Sequence, residues 1–264
     1  MKIGVLGLGV VGNAVYTGFL ELGHSVSFYD PIKDSKFEDV LGAEICFICV
    51  PTPPTEEGFC DTSIVVESIQ KLLDNNYKGI VVIKSTVAPG TTEALAQEFS
   101  GLEIAFVPEF LRERCAITDF IENHDLCIIG TESKECYKKI KEAHGSYPKN
   151  FKMLTRTEAE LVKYYNNIYN ATLITLANSF YEVCKNLGAS YTEIKNSLVL
   201  REHVNDSYLQ CNENFRGFGG VCLPKDTLAI AKLVEKNNLD VNFFKMILEE
   251  NKKYKVTVYD GMRK

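Results

Sequence analysis

An α/β chain, with a doubly wound parallel sheet followed by an all-helical region, is predicted by three observations. In the first 130 residues, short β-branched apolar runs alternate with helical patterns. A glycine-rich turn, Gly7-Leu8-Gly9-Val10-Val11-Gly12, follows the first run and opens a helix. The last strand-like run ends near Gly130, and beyond a boundary near 147–156 only helical spacing remains. At about 150 residues per domain, the 264 residues suggest one or two domains.

The predicted strands are Lys2–Leu6, Ser25–Tyr29, Ile45–Val50, Ile80–Lys84, Ile104–Val107 and Leu126–Gly130. Several are apolar on consecutive residues, as strands covered on both faces are. Parallel strands need crossovers, which the intervening helical patterns supply. A helix over Ser133–His144 follows the last predicted strand, and then the polar stretch Gly145-Ser146-Tyr147-Pro148. The first domain is therefore placed at 1–150 and the second at 151–264. Thr157-Glu158-Ala159-Glu160 has the spacing of a capping box and opens a helix running to about Gly188. Leu161, Tyr165, Ile168, Leu173, Leu176 and Phe180 recur along it at helical spacing. Further helices are predicted over Thr192–Leu200, Asp226–Glu235 and about Val241–Tyr254.

Composition narrows the function. Hydrophobic residues make up 45% and charged residues 24%, which excludes disorder and coiled coil as descriptions of the whole chain. The charge balance is 29 − 35 = −6, against the basic face that nucleic-acid binding requires. No run reaches the ~18 apolar residues of a membrane span. The N-terminal apolar stretch is broken by Gly4, Gly7, Gly9 and Gly12, unlike a signal peptide. Nine cysteines, an odd number mostly inside apolar runs, fit reduced thiols in the cytoplasm. No His/Cys cluster has metal-ligand spacing.

The glycine turn predicts a dinucleotide site of Rossmann type. Gly7 permits the tight turn, Gly9 lets backbone approach a pyrophosphate, and Gly12 allows close helix–strand packing. The phosphates then meet the N–H groups of Val10 and Val11 at the helix start. Asp30 ends the second strand, 18 residues after Gly12. A carboxylate there accepts from ribose hydroxyls and repels a 2′-phosphate, so NAD is the expected cofactor rather than NADP. The competing reading is that Asp30 caps a helix beside Pro31.

Other segments carry candidate chemistry. Lys163 and Asn167, four apart on the long helix, share a face and can hold a substrate oxygen, or are a solvated Lys and an exposed Asn. In Phe215–Asp226, three glycines and a proline flank Cys222 just before a helix; beside Lys225 it is a nucleophile or a buried small residue. Asp226 is an N-cap, a catalytic carboxylate, or both. Glu109 and Glu113 follow a strand, at the sheet edge where ligands of open α/β folds bind, and Lys84–Thr91 does likewise. Cys46 and Cys49 lie in an apolar strand pattern and read as structural.

Together, GLGVVG, CVPTPP with a later GFCDTS, KSTVAPGTT, VPEFLRERCAITD, EAELVKYYNN and GFGGVCLPKDT resemble, in order, the motifs of the nucleotide-sugar 6-dehydrogenases. This is the UDP-glucose/GDP-mannose dehydrogenase family, and the likeness spans almost the whole chain. It implies a four-electron oxidation of a primary alcohol using two NAD, with UDP-glucose as the first expected substrate. It implies Cys222 as the nucleophile, Lys163 as oxyanion stabiliser with Asn167 beside it, and Thr86, Glu113 and Asp226 around the catalytic water. It further implies Thr52 and Lys225 near the cofactor, and Glu109, Phe110, Leu111, Arg112, Glu113, Arg201, Phe218 and Gly219 near the substrate. A homodimer through the helices of the second domain is expected.

The sequence departs from the family's pattern in three places. The family carries a further C-terminal α/β domain, whereas this chain ends at Lys264; the Pro31–Glu44 crossover is short; and the segment between Arg201 and Gly217 is long. Two other readings stay open. A two-electron 3-hydroxyacid-type dehydrogenase shares the Lys-x-x-x-Asn helix but needs no Cys222, and a non-catalytic NAD-binding subunit does not explain the reactive positions.

Overall fold

The structure, a computed structural model, describes residues 1–255. It divides into two compact units, Met1–Thr55 with Cys60–Lys163, and Glu56–Phe59 with the chain from Tyr164 onward. The division falls inside a helix, thirteen residues beyond the sequence-based boundary at 150.

The first unit holds a seven-stranded sheet in the order β2-β1-β3-β4-β5-β6-β7. The strands are β1 (Lys2–Leu6), β2 (Ser25–Tyr29), β3 (Ile45–Ile48), β4 (Ile80–Ile83), β5 (Glu103–Phe106), β6 (Leu126–Gly130) and β7 (Asn150–Leu154). Neighbouring strands are parallel except β5 and β6, which meet antiparallel where Phe106 pairs with Gly130. The helices are α1 (Val10–Glu21), α2 (Ser63–Asp74), α3 (Thr91–Glu98), α4 (Ala116–Ile121) and α5 (Lys134–His144).

Consecutive apolar residues in the central strands serve two cores. Cys46 and Ile48 of β3 pack with Ile69, Leu72, Val81 and Ile83 on one face. Ile45 and Phe47 pack with Val15, Phe19, Val82 and Phe120 on the other. Successive side chains of a strand point to opposite faces, so a strand covered on both sides must be apolar throughout. Each such side chain fully buried contributes roughly 1.5–3 kcal/mol.

β7 lies beyond the predicted strands. Its residues Asn150 and Lys152 are exposed while Phe151, Met153 and Leu154 are half-buried. An edge strand has one neighbour and solvent beside it, so it lacks the continuous apolar signature of the strands inside the sheet.

α6 (Arg156–Asn186) starts in the first unit and continues into the second. Its capping box is Thr155 with Glu158, two residues before the predicted one. The Thr155 N–H donates to Glu158 Oε2 at 2.9 Å, and the Glu158 N–H to Thr155 Oγ1 at 3.3 Å. The predicted partner, Glu160, is buried and engaged elsewhere: it accepts from the N–H groups of Gly90 (2.6 Å) and Thr92 (2.8 Å) at the start of α3.

The second unit continues with α7 (Tyr191–Leu198), α8 (Cys222–Lys236) and α9 (Phe243–Asn251). Tyr164, Ile168 and Ala171 of α6 pack with Phe218, Ala229, Ile230 and Ile247. The long segment after α7 is tied down by Lys195, whose Nζ reaches both oxygens of Asp206, and by the Tyr191 hydroxyl donating to the Leu209 carbonyl. Among the described residues, no helix is long and apolar enough to cross a membrane.

Candidate active site

In the first unit the glycine turn has the shape a dinucleotide needs. Gly7 has φ +84°, and a Cβ there would lie 2.8 Å from the Cys49 carbonyl oxygen. A Cβ on Gly12 would stand 1.9 Å from the Gly7 carbonyl oxygen, so only glycine lets α1 approach the turn so closely. Gly9, the N-cap, has no atom within 4 Å of where its Cβ would be. No side chain caps α1 and its first turn holds no acidic residue. The N–H groups of Val10 and Val11 thus begin a helix whose positive end is uncompensated and open, a fit for a pyrophosphate.

Asp30 follows β2 and caps no helix. Its Oδ2 accepts from the Leu8 N–H at 2.7 Å and its Oδ1 from the Ile32 N–H at 3.1 Å. The carboxylate therefore braces the glycine turn from the position where an adenosine ribose is recognised. Thr52 Oγ1 donates to the Thr86 carbonyl at 2.7 Å, and Ser85 Oγ to the Val50 carbonyl at 2.7 Å. These bonds stitch together the loops after β3 and β4. Glu160 holds the far end of the second loop through Gly90 and Thr92. Burial raises the Glu160 carboxyl above its ordinary range, against the two N–H groups that favour its charge.

Lys163 is buried rather than solvated. Its Nζ donates to Glu109 Oε1 at 2.7 Å and to the Glu109 carbonyl at 2.7 Å, while Glu109 Oε2 accepts from the Leu111 N–H at 2.8 Å. Burial opposes the Glu109 charge, yet the Lys163 ammonium and these hydrogen bonds hold its carboxyl below the usual range. Phe110 packs toward one face of the sheet and Leu111 toward the other. Arg112 forms a two-pronged pair with Asp119, Nε–Oδ2 2.9 Å and NH2–Oδ1 2.6 Å. Glu113 opens a short 3-10 turn just beyond. The 109–113 loop is thus pinned at both ends by buried charge and in the middle by apolar contact.

In the second unit, α8 begins at Cys222, four residues before the predicted start. Pro224 is tolerated because the first helical turn needs no N–H partner there. Cys222 is exposed on that turn. Asp226 therefore lies inside the helix and is no N-cap. Its Oδ2 accepts from Asn167 Nδ2 at 2.6 Å, and its Oδ1 lies 2.8 Å from Lys225 Nζ. Asn167 and Asp226 are both buried. Residues 222 and 226 are one turn apart on α8, so thiol and carboxylate share a face. Phe218 is buried, Gly219 is half-buried, and Arg201 is exposed on the segment after α7.

Burial pushes the Cys46 and Cys49 thiols up, that of Cys49 to about 12. None of the nine cysteines is disulfide-bonded, and no metal-binding group of His, Cys, Asp or Glu occurs among the described residues. Sequence reasoning missed Glu160 and Lys84. Lys84 ends an apolar run and is buried, its Nζ 3.4 Å from the Val107 carbonyl; burial lowers its pKa. The signal was present in both: a charged residue continuing a buried pattern.

Residues 33–147 match the NAD binding domain of the UDP-glucose/GDP-mannose dehydrogenase family, and residues 157–253 match its central domain. The first match begins after the glycine turn. The chain is 29% identical to the UDP-glucose 6-dehydrogenase of Rickettsia felis, over 96% of this chain and 65% of the relative. It is 27% identical to UDP-glucose 6-dehydrogenase TuaD of Bacillus subtilis, over 99% of this chain and 65% of the relative. It thus spans 65% of the length of these curated relatives. Among solved structures, a UDP-glucose dehydrogenase from Pyrobaculum islandicum superposes with TM-score 0.84 at 29% identity, covering 96% of this chain and 68% of that one. A 3-hydroxyisobutyrate dehydrogenase from Mycobacterium tuberculosis superposes with TM-score 0.73 at 14% identity, covering 96% and 92%, a likeness of fold alone.

Proposed function

Because the chain belongs to the UDP-glucose/GDP-mannose dehydrogenase family and carries its NAD-binding and central domains, we propose that it oxidises the 6-hydroxymethyl group of a nucleotide sugar, UDP-glucose first, to the uronic acid. NAD, when bound, accepts one hydride in each of two oxidations. The glycine turn and α1 hold its pyrophosphate, Asp30 its ribose diol, and Thr52, Thr86 and Lys225 flank it.

The protein's own groups manage protons and the acyl carbon. In the first oxidation Lys163 and Asn167 hold the reacting oxygen as the alcohol proton leaves. In the second, the Cys222 sulfur adds to the aldehyde carbon as the thiol proton passes to the oxygen, giving a thiohemiacetal whose loss of a hydride and of its hydroxyl proton leaves a thioester. Water then adds, with Thr86, Glu113 and Asp226 managing its protons; the carbon–sulfur bond breaks, releasing the acid and restoring the thiol. Glu109 to Arg112, Arg201, Phe218 and Gly219 contact the substrate.

The observation that carries this reading is Cys222 on the first turn of α8, one turn from the buried, hydrogen-bonded Asp226. An alcohol dehydrogenation alone needs no thiol. That separates the proposal from a two-electron 3-hydroxyacid dehydrogenase of the same fold.

We also propose a homodimer through α6. Tyr165, Tyr169, Leu176, Phe180, Val183 and Leu187 are all exposed and recur at three-, four- and seven-residue spacing along one face. The reaction is tested by incubating the protein with NAD and, separately, UDP-glucose, UDP-N-acetylmannosamine and GDP-mannose. Acid is expected with at least one, and its absence with all three would remove the reading.

A further inference from the structure

Residues 216–221, which lead into α8 at Cys222, form neither helix nor strand, yet three consecutive residues among them are held by two buried carboxamides. Asn251, in the last turn of α9, pairs with both backbone groups of Phe218. The Phe218 N–H donates to Asn251 Oδ1 at 2.8 Å, and Asn251 Nδ2 donates to the Phe218 carbonyl at 2.8 Å. Asn178, in mid-α6 and almost wholly buried, accepts on its Oδ1 from Arg216 Nε at 2.7 Å and from the Gly217 N–H at 3.1 Å. Its Nδ2 donates to the Ile174 carbonyl at 2.8 Å. The Arg216 guanidinium lies over the rings of Tyr181 (4.7 Å) and Tyr254 (4.6 Å).

Resting on the proposed role of Cys222, we infer that Asn251 and Asn178 are positioning residues for that thiol. A carboxamide offers the same donor and acceptor as a peptide group. Asn251 therefore supplies to Phe218 the two bonds that a neighbouring strand would supply, where buried backbone must otherwise stay unpaired. The need is specific to this place. Gly217 and Gly220 flank the clamp with φ values of +60° and +72°. Glycines on both sides leave the backbone the widest conformational range, so without the clamp both are pivots. With Phe218 fixed by its ring in the core and by both backbone groups, only three residues separate a rigid point from Cys222.

The test compares the parent with Asn251→Ala, Asn251→Asp and Asn178→Ala, each first shown by thermal melting to be folded. Three readouts are used: amide hydrogen exchange at Phe218, the rate at which iodoacetamide alkylates Cys222, and the separate rates of alcohol and aldehyde oxidation. Asn251→Ala should speed Phe218 exchange about tenfold, the factor carried by a lost buried hydrogen bond. Alkylation should slow, because a thiol displaced from the helix start loses the field of its N–H groups. Aldehyde oxidation should fall about tenfold with the KM for NAD unchanged, and alcohol oxidation, which shares the Phe218 substrate contact but needs no thiol, should fall less.

Asn251→Asp adds a pH signature. Ionised, it keeps an acceptor for the Phe218 N–H but cannot donate to the Phe218 carbonyl, and its second oxygen repels that carbonyl, so the clamp loosens and Phe218 exchange should rise above the parent's while staying below the alanine variant's. Protonated, its O–H reproduces the lost donor, so the ratio of variant to parent exchange should return toward one as the pH falls. A merely space-filling asparagine gives no such recovery. Parent-like exchange and alkylation in the folded alanine variants would overturn the inference, as would faster exchange with an unchanged aldehyde rate. If the parent makes no acid, the proposed reaction falls, and the exchange and alkylation arms still decide whether the clamp sets the state of Cys222.

Discussion

Lys163 Nζ lies 2.7 Å from Glu109 Oε1 and 2.7 Å from the carbonyl oxygen of the same residue, so one ammonium closes over both the side chain and the backbone of Glu109. The pair is buried, and removing one member strands the other's charge. Lys163→Met should destabilise the fold by about 3–5 kcal/mol in chemical denaturation, with part recovered by adding Glu109→Gln. Glu109 is held below its ordinary pKa in the folded chain. Its contribution is therefore present above the unfolded carboxylate value of about 4.3 and is lost as the pH falls through the lower, folded one. The Glu109→Gln variant should lack this part of the acid sensitivity; an identical pH profile would refute the assignment.

Asp30 braces the glycine turn through the Leu8 N–H, and the proposed function gives the same carboxylate the choice between NAD and NADP. Calorimetry should find NADP binding at least about tenfold weaker than NAD, because a carboxylate faces the added phosphate. Asp30→Ser should narrow that gap while also weakening NAD, since the turn loses its brace. Equal affinities for the two cofactors in the parent would sink the reading.

Cys222→Ser should cut acid formation by about a thousandfold or more, as loss of a covalent nucleophile does. Alcohol oxidation should survive weakly, so mass spectrometry should find aldehyde or a trapped ester in place of acid. Cys49→Ser should leave the chemistry intact, its thiol being held near pKa 12 by burial. Unchanged acid production by the Cys222 variant would eliminate the thioester route.

The exposed α6 face should be covered in solution by a second copy. Light scattering at micromolar concentration should give a dimer mass, and Phe180→Glu with Tyr169→Glu should shift it to monomer. Those side chains are exposed, so the change costs little within the fold. A monomeric parent would contradict the assembly.

His144 predicts loss of stability in mild acid. It is fully buried, its ring beside those of Phe19 (5.1 Å), Phe47 (5.9 Å) and His124 (5.9 Å). Burial, with the Lys84 charge next, pushes it well below 6.5, and the same causes push His124 down to about 4. Both are neutral when folded and take up a proton on unfolding. Stability is therefore full above about pH 6.5 and falls as the pH drops toward 4. The melting temperature should decline across that window, and His144→Leu should flatten the decline.

Periodicity made the architecture legible. Alternating apolar runs reported strands buried on both faces, and the glycine spacing reported a turn that only glycine can close, because both are consequences of local geometry. Patterns of residue types in a fixed order also carried the family. What failed to show was what depends on neighbours distant in sequence. β7 was hidden because an edge strand buries too little to look apolar. The capping box was misplaced by two residues because Glu160 caps α3 instead, 70 and 68 residues back at Gly90 and Thr92. Lys163 looked solvated because lysines usually are; its burial depends on Glu109, 54 residues away. Asp226 is open as cap or catalytic carboxylate in the sequence; the start of α8 at Cys222 puts it inside the helix, and Asn167, 59 residues earlier, supplies its partner. The clamp of Asn251 on Phe218 spans 33 residues and leaves no periodic trace. Local pattern determines which segments become strand, turn and helix, since burial on a regular element repeats with its period. Only the tertiary structure decides which charged and polar groups are buried, because a buried polar group is tolerable solely where the folded chain brings it a partner.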